Sequence, residues 1–96
     1  MDFIYESNRI FLKNEQGDMI AEVTFPNISD DIVNVNHTYV DDSLRGQGVA
    51  SMLLKSLADK LRAENKKAYP TCSYAVKWFE KNTDYSDVYT NNIDMN

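Results

Sequence analysis

The sequence predicts an α+β fold in which antiparallel strands are followed by a strand–helix–strand unit and a shorter second helix. Three observations predict it. The front half alternates polar and apolar residues with the two-residue period of strands. From Gly48 the period lengthens to that of an amphipathic helix. The turns between these segments carry Gly, Pro, Asn and Asp, which interrupt regular structure. We expect one short domain over residues 1–96.

The first three strands are expected in residues 3–7, 9–14 and 19–25. FIYES and RIFLKN carry the aromatic and β-branched residues typical of strands, and NEQGD after them is typical of a turn. MIAEVTF alternates, and Pro26 closes it because proline donates no main-chain hydrogen bond. With the strands that follow, these segments predict an antiparallel sheet of about four to five strands.

The clearest alternation lies in IVNVNHTYV, which predicts one continuous strand over residues 32–40. In a regular strand Val33, Val35 and His37 would share one face. His37, the only histidine, would therefore point toward the core.

A helix of about four turns is expected after Gly48, ending near Asn65, which tolerates the left-handed conformation common at helix ends. AYPTCSY then predicts a short strand or extended segment, AVKWFEKN a short C-terminal helix, and the tail is polar. The helix prediction rests on apolar residues at every fourth position, namely Val49, Leu53, Leu57 and Leu61.

Composition excludes several classes of protein. The net charge of −5 argues against a nucleic-acid-binding protein, and no apolar run approaches the roughly 20 residues that span a bilayer. Cys72 is the single cysteine, so no internal disulfide forms, and we expect a cytoplasmic protein. One histidine and one cysteine offer no cluster of metal ligands, so we expect no metal.

Charge is unevenly distributed along the chain. Between Leu44 and Asn82 there are eight basic and three acidic residues, whereas the remainder has two basic and twelve acidic residues. A local positive field in an acidic protein suits a small polyanion better than a long nucleic acid, whose other phosphates would be repelled. The alternative is a helix whose solvent face is simply rich in lysine.

The segment LRGQGVASMLL places two of the three glycines just before the predicted helix. The first amides of a helix lack intrahelical acceptors and carry partial positive charge, and glycines before them let an anion approach. Two familiar phosphate loops are excluded, because no Lys-Ser/Thr follows the glycines and Ser51 stands where G-x-G-x-x-G needs its third glycine. The alternative is a plain turn into the helix.

RGQGVA, from Arg45 to Ala50, resembles the pyrophosphate loop of the GNAT superfamily of acetyl-CoA-dependent N-acetyltransferases, whose pattern is Arg/Gln-x-x-Gly-x-Gly/Ala. TCSYAVKWFEKN is similar to the superfamily's second conserved segment, with Ala75, Phe79 and Lys81 at its alanine, aromatic and lysine positions. The order of HTYV, LRGQGVAS, YPTCSYAVKWFEKN and DYSDVY resembles the short YjdJ-type subgroup.

The resemblance implies a GNAT-like fold and transfer of an acetyl group from acetyl-CoA to an amine on a small molecule, peptide or protein. It implies that main-chain amides from Gln47 to Ser51, with Arg45 nearby, hold the pyrophosphate, and that a main-chain N–H near Thr38 to Val40 binds the thioester carbonyl. The short chain implies an acceptor site that is open or that requires a second subunit. The implied acetyl-CoA-binding residues are Thr38, Tyr39, Val40, Arg45, Gly46, Gln47, Gly48, Val49, Ala50 and Ser51.

Two residues are candidates for catalysis. His37 is a candidate general base, because imidazole titrates near neutral pH; the role requires the β-bulge that GNAT members carry in this strand, which would re-aim the residues beyond it. The resemblance places Cys72 at the active site, expected in a short strand before the second helix, with a suspected role as a transient acetyl-thioester. The alternatives are a hydrogen-bonded structural histidine and a buried cysteine.

One residue departs from the GNAT pattern. Phe79 stands where many GNAT enzymes carry a tyrosine that protonates the departing CoA thiolate, and Tyr74 is a candidate substitute. The leading hypothesis is an N-acetyltransferase. One alternative is a non-catalytic module that binds acetyl-CoA or another acyl-CoA, and another is a degenerate fold that serves protein interaction.

Overall fold

The computed structural model describes residues 2–93. Short 3₁₀ turns cover Asp42–Leu44 and Thr83–Tyr85. The strands and helices, in chain order, are β1 (Ile4–Glu6), β2 (Arg9–Lys13), β3 (Met19–Thr24), β4 (Ile32–Val35), β5 (His37–Val40), α1 (Val49–Ala63), β6 (Lys67–Pro70) and α2 (Ser73–Lys81).

The strands form two sheets. β1, β2, β3 and β5 make a four-stranded antiparallel sheet in that order, and β4 pairs with β6 in parallel beside it. The predicted α+β class and the predicted strand–helix–strand unit are therefore confirmed, with α1 as the connection that leads into β6.

Alternation along β3 separates two faces of the sheet. Ala21 and Val23 are buried and belong to the same core cluster as the apolar residues of both helices, so we call their side the helix face. Glu22 and Thr24 point the other way and are half-buried, so we call that side the open face. The completely buried core side chains include Ile10, Val23, Val35, Leu53, Leu54 and Leu57.

The prediction of one continuous strand over residues 32–40 is wrong, because the strand breaks at Asn36. The Asn36 N–H donates to the Thr24 carbonyl at 3.3 Å, while His37 is the register partner of the same Thr24. Two residues thus oppose one, which is the defining feature of a β-bulge. The bulge moves His37 to the exposed side and sends β4 and β5 to different sheets.

The predicted helices are confirmed, and Asn65 has the expected left-handed conformation with φ of +57°. Cys72 lies outside β6, as the residue that caps the start of α2, rather than within a strand. The tail contributes more to packing than its polarity suggests, since Val88 is buried and Tyr89 bridges to Ala68. None of the helices in the described part of the chain combines the length and apolarity that crossing a bilayer demands.

Candidate functional site

β5 and the end of the β6 segment diverge after Val35. The N–H groups of Thr71 and Cys72 both donate to the Val35 carbonyl, at 3.0 and 3.1 Å, and this is where the β6 segment last contacts β4. Beyond Val35 the chain turns into β5, which pairs with β3, while Cys72 leads into α2. We call the space between β5 and residues 71–72 the cleft.

The two sides of the cleft meet at Thr38 and Cys72. The Cys72 Sγ lies 3.6 Å from the Thr38 Oγ1, and the Thr38 N–H also points to the sulfur. Because the Asp41 N–H donates to Ile20 in β3, strand alternation directs the main-chain groups of Tyr39 to β3 as well. Those of Thr38 and Val40 therefore face the cleft.

The start of α2 shapes the chemistry of the Cys72 thiol. Burial is the largest influence on its pKa and acts to raise it. Hydrogen bonds from the main-chain N–H groups of Ala75, Tyr74 and Thr38, together with the Thr38 hydroxyl, favour the thiolate and leave the pKa below that of an ordinary thiol. The thiol is half-buried, so it is both activated and within reach of a ligand in the cleft.

The glycine loop leaves helix amides without partners. Gly46 and Gly48 have φ of +81° and +70°, a region that other L-residues rarely adopt, and no atom beyond the adjoining residues lies within 4 Å of a Cβ built on either. Gly48 is the N-cap of α1 and provides no side-chain acceptor. Within residues 2–93 the N–H groups of residues 49–51 have no acceptor, so they are available to an anion.

Side chains from α2 join the loop to the cleft. The Trp78 Nε1 donates to the Ser51 Oγ at 2.9 Å, and the Tyr74 hydroxyl also hydrogen-bonds with Ser51. Tyr74 follows Cys72 by two residues, so α2 carries both the thiol at its start and the side chains that contact the first turn of α1. Burial raises the pKa of the Tyr74 hydroxyl, although its bond with Ser51 opposes the shift.

Arg45 lies at the entrance of the glycine loop with an exposed guanidinium. Its Nη2 donates to the Asp42 Oδ1 at 2.9 Å, and both side chains are largely exposed. An exposed ion pair of this kind contributes little stability. Arg45 can therefore leave Asp42 and pair with an incoming phosphate.

His37 lies on the open face, while Cys72 lies in the cleft on the other side of the bulge. The His37 Nε2 is 3.7 Å from the Glu22 Oε1, and the imidazole is 54% exposed. Arg9 donates to the other oxygen of Glu22, which fixes that carboxylate. The structure thus brings Thr38 and Cys72 together, and the general-base role of His37 stays a prediction.

Sequence reasoning missed three groups around the site. Glu22 was not singled out, because its position beside His37 depends on the pairing of β3 with β5. The bond between Trp78 and Ser51 joins two helices whose packing has no signature in the sequence. The sequence pattern shows Asn34 and Asn36 only as polar positions of an alternating strand, and it does not indicate what their carboxamides contact.

In residues 2–93 no group of three or more His, Cys, Asp and Glu side chains is arranged to hold a metal ion.

Comparison with known families gives one match over most of the chain. The model of a family described as GCN5-related N-acetyl-transferase, Acetyltransf_CG, matches residues 9–88. Protein NATD1 of Gallus gallus is 41% identical over 51 residues, which are 53% of this chain and 46% of that protein. The human protein of the same name is also 41% identical over 51 residues. The chain therefore spans less than half the length of these curated relatives.

Solved structures share the fold. A GCN5-like protein of Staphylococcus aureus, solved by NMR, is 31% identical with a TM-score of 0.79, and the similarity covers 98% of this chain and 91% of that one. The GNAT family N-acetyltransferase YhbS of Escherichia coli, crystallised with CoA, is 22% identical with a TM-score of 0.56 over 65% of this chain and 38% of that one. At that identity the second comparison shows the fold alone.

The lowered pKa of Cys72 predicts fast alkylation at neutral pH. Because a lower pKa leaves more thiolate at a given pH, the rate of reaction with iodoacetamide should reach its midpoint below the value of about 8.5 of a free cysteine. Thr38→Val removes the hydroxyl that favours the thiolate and should raise the midpoint, whereas Thr38→Ser should leave it in place. A wild-type midpoint at or above that of free cysteine would contradict this picture of the thiol.

Proposed function

The chain belongs to the GCN5-related N-acetyltransferase family, and from that premise we propose that it transfers an acetyl group from acetyl-CoA to an amine acceptor. The observation that carries the proposal is the set of unpartnered amides behind Gly48, held by α2 beside the activated thiol of Cys72. The unpartnered amides suit a pyrophosphate, and the Cys72 thiol suits a thioester. The order of the sequence motifs supports placing the chain in the short YjdJ-type subgroup.

The glycine loop binds the pyrophosphate in this proposal. The free amides of residues 49–51 point out of the start of α1, where the helix dipole adds positive potential. Gly46 and Gly48 matter in two ways: each adopts a backbone conformation that favours glycine, and neither has a side chain to fill the open space beside it. The N–H groups of Gly46 and Gly48 lie in the same turn, whereas that of Gln47 donates to the Leu44 carbonyl at 3.2 Å and must be released to reach the phosphate. Arg45 adds a charged contact.

The cleft binds the pantetheine arm and the acetyl group. Thr38 and Val40 direct main-chain groups into the cleft, where a pantetheine amide can pair with them as an added strand would. Tyr39 lies between these two residues. Its own main-chain groups point to β3, so it holds Thr38 and Val40 in position beside the pantetheine arm. The Thr38 N–H next to the sulfur is placed to stabilise the oxyanion that forms when the thioester carbonyl is attacked.

The chemistry then follows in two steps. The Cys72 thiolate attacks the thioester carbonyl, the C–S bond to CoA breaks, and CoA leaves as a thiolate that takes a proton from solvent. The amine then attacks the acetyl-Cys72 carbonyl from the open face. His37 accepts the proton that the amine loses, and the Cys72 thiolate is regenerated.

Substitution of Gly48 tests the loop. Gly48→Val places a branched side chain over the free amides and should abolish acetyl-CoA binding, measured by calorimetry, while far-UV circular dichroism stays unchanged. Gly17→Val is the matched control, because Gly17 has a φ of +87° with equally open space and lies in the distant β2–β3 turn. Binding that survives in Gly48→Val, or is lost equally in Gly17→Val, would refute the loop assignment.

A non-catalytic carrier of acyl-CoA is the second candidate, and one observation favours it. Phe79, which stands where many GNAT enzymes carry the proton-donating tyrosine, is buried at 6% exposure against Trp78 and has no proton to give. A carrier has every part of the loop but no need for His37.

Substitution of His37 separates enzyme from carrier. For an enzyme with His37 as base, His37→Gln should lower turnover of amine by about 10²-fold or more while acetyl-CoA binding is retained. Glu6→Gln is the control. Glu6 lies on the same face as His37 and, like Glu22, is a carboxylate bound to Arg9. Activity of His37→Gln equal to that of the wild type would end the general-base assignment.

The wider proposal is a cytoplasmic, single-domain enzyme without a metal, acting on amines and binding no nucleic acid. The acidic net charge of −5 and the single thiol support it.

A further inference from the structure

Two asparagine side chains lie at the strand break, on the open face. Asn36 is the residue at which the strand breaks, and Asn34 lies in β4 two residues before it. The Asn34 Oδ1 accepts a hydrogen bond of 2.7 Å from the Thr71 hydroxyl, and the Asn36 Oδ1 accepts one of 2.6 Å from the Thr24 hydroxyl. Each carboxamide oxygen is thus held by a threonine, which fixes the direction of its NH₂ group. No acceptor for either Nδ2 exists within residues 2–93.

The spacing of the two NH₂ groups suits an extended peptide. Residues i and i+2 of a strand are about 6.6 Å apart along its axis, which is also the repeat of carbonyl groups that point to one side of an extended chain. A peptide laid along residues 34–36 can therefore offer one carbonyl to Asn34 and the next carbonyl on that side to Asn36. Asn36 is exposed and Asn34 half-buried, so both can be reached.

The same line leads to His37. Its imidazole directly follows Asn36 and is 54% exposed on the open face, whereas Thr38 turns into the cleft. A peptide that ends beside Asn36 would place its amine between the imidazole and the acetyl group. His37 and Thr38 are consecutive residues, so the bulge places the site of the amine acceptor and the site of the acetyl donor side by side.

One other property of the face favours a polypeptide over a small polyamine, which an enclosing pocket would hold better. Cavities of about 450 and 200 Å³ exist in the described residues, but they lie between β1 and α1 and at the end of α1, and no residue of the break lines either.

We propose that the acceptor is a polypeptide, bound as an extended segment whose main-chain carbonyls accept hydrogen bonds from the Nδ2 groups of Asn34 and Asn36, with its primary amine delivered to His37. This inference rests on the proposed function, because the amine is acetylated only if the cleft holds acetyl-CoA. Recognition of main chain makes binding tolerant of peptide sequence.

The test compares alaninamide with a hexapeptide amide that begins with the same alanine, using mass spectrometry of the acetylated product. The hexapeptide should have a kcat/KM at least about tenfold higher, since it adds two hydrogen bonds. Asn34→Asp and Asn36→Asp keep the oxygen that each threonine bonds and lose only the NH₂ donor, so each should remove most of that advantage and leave kcat/KM for alaninamide unchanged. Asn91→Asp, at another exposed asparagine, is the control.

Binding is measured separately, by titrating wild-type protein with the hexapeptide and following the side-chain NH₂ signals of Asn34 and Asn36 by ¹⁵N–¹H NMR. Shifts in these signals without turnover of either amine would support the docking and refute the enzyme. Equal kcat/KM for both amines, an equal loss for both in the asparagine variants, or unshifted NH₂ signals would overturn the docking. Turnover of alaninamide alone would leave the acetyltransferase standing.

Discussion

The rest of the structure depends on the bulge at Asn36 and His37, where two residues of one strand oppose Thr24 of another. The bulge shifts the pairing by one residue and turns His37 to the open face. With it, β4 stays with β6 while β5 joins β3. The main-chain groups of Thr38 and Val40 are left without a strand partner, and the Thr38 N–H points to the thiol that follows β6.

A second constraint is the way α2 holds the two halves of the candidate site. Ser51, in the first turn of α1, receives the Trp78 indole, and Tyr74 bonds to the same hydroxyl. Trp78 is itself buried against Phe79 and Tyr85. The packing of one short helix therefore sets the distance between the glycine loop and Cys72, which a ligand that contacts both must match.

Local patterns predicted the elements because they depend on neighbours in sequence. The helix stripe from Val49 to Leu61, the left-handed Asn65 and the glycine loop were all readable in this way. The break at Asn36 was not, because Asn36 and His37 continue the alternation that surrounds them. Whether the chain beyond Val35 pairs with β3 or with β6 is decided by long-range contacts. The positions of Glu22, Asn34 and Asn36 around the site follow from that choice, so sequence could name Cys72 and His37 but not their partners.

The central claim is that the glycine loop and the cleft bind acetyl-CoA together. A ¹⁵N–¹H NMR titration with acetyl-CoA, beside the same titration with CoA, tests it most directly. We expect saturable shifts of the main-chain amides of residues 46–51 with both ligands, and further shifts at Thr38 and Cys72 that differ between them, because only acetyl-CoA carries the thioester. Shifts absent at millimolar ligand, or confined to residues outside the loop and cleft, would contradict the account.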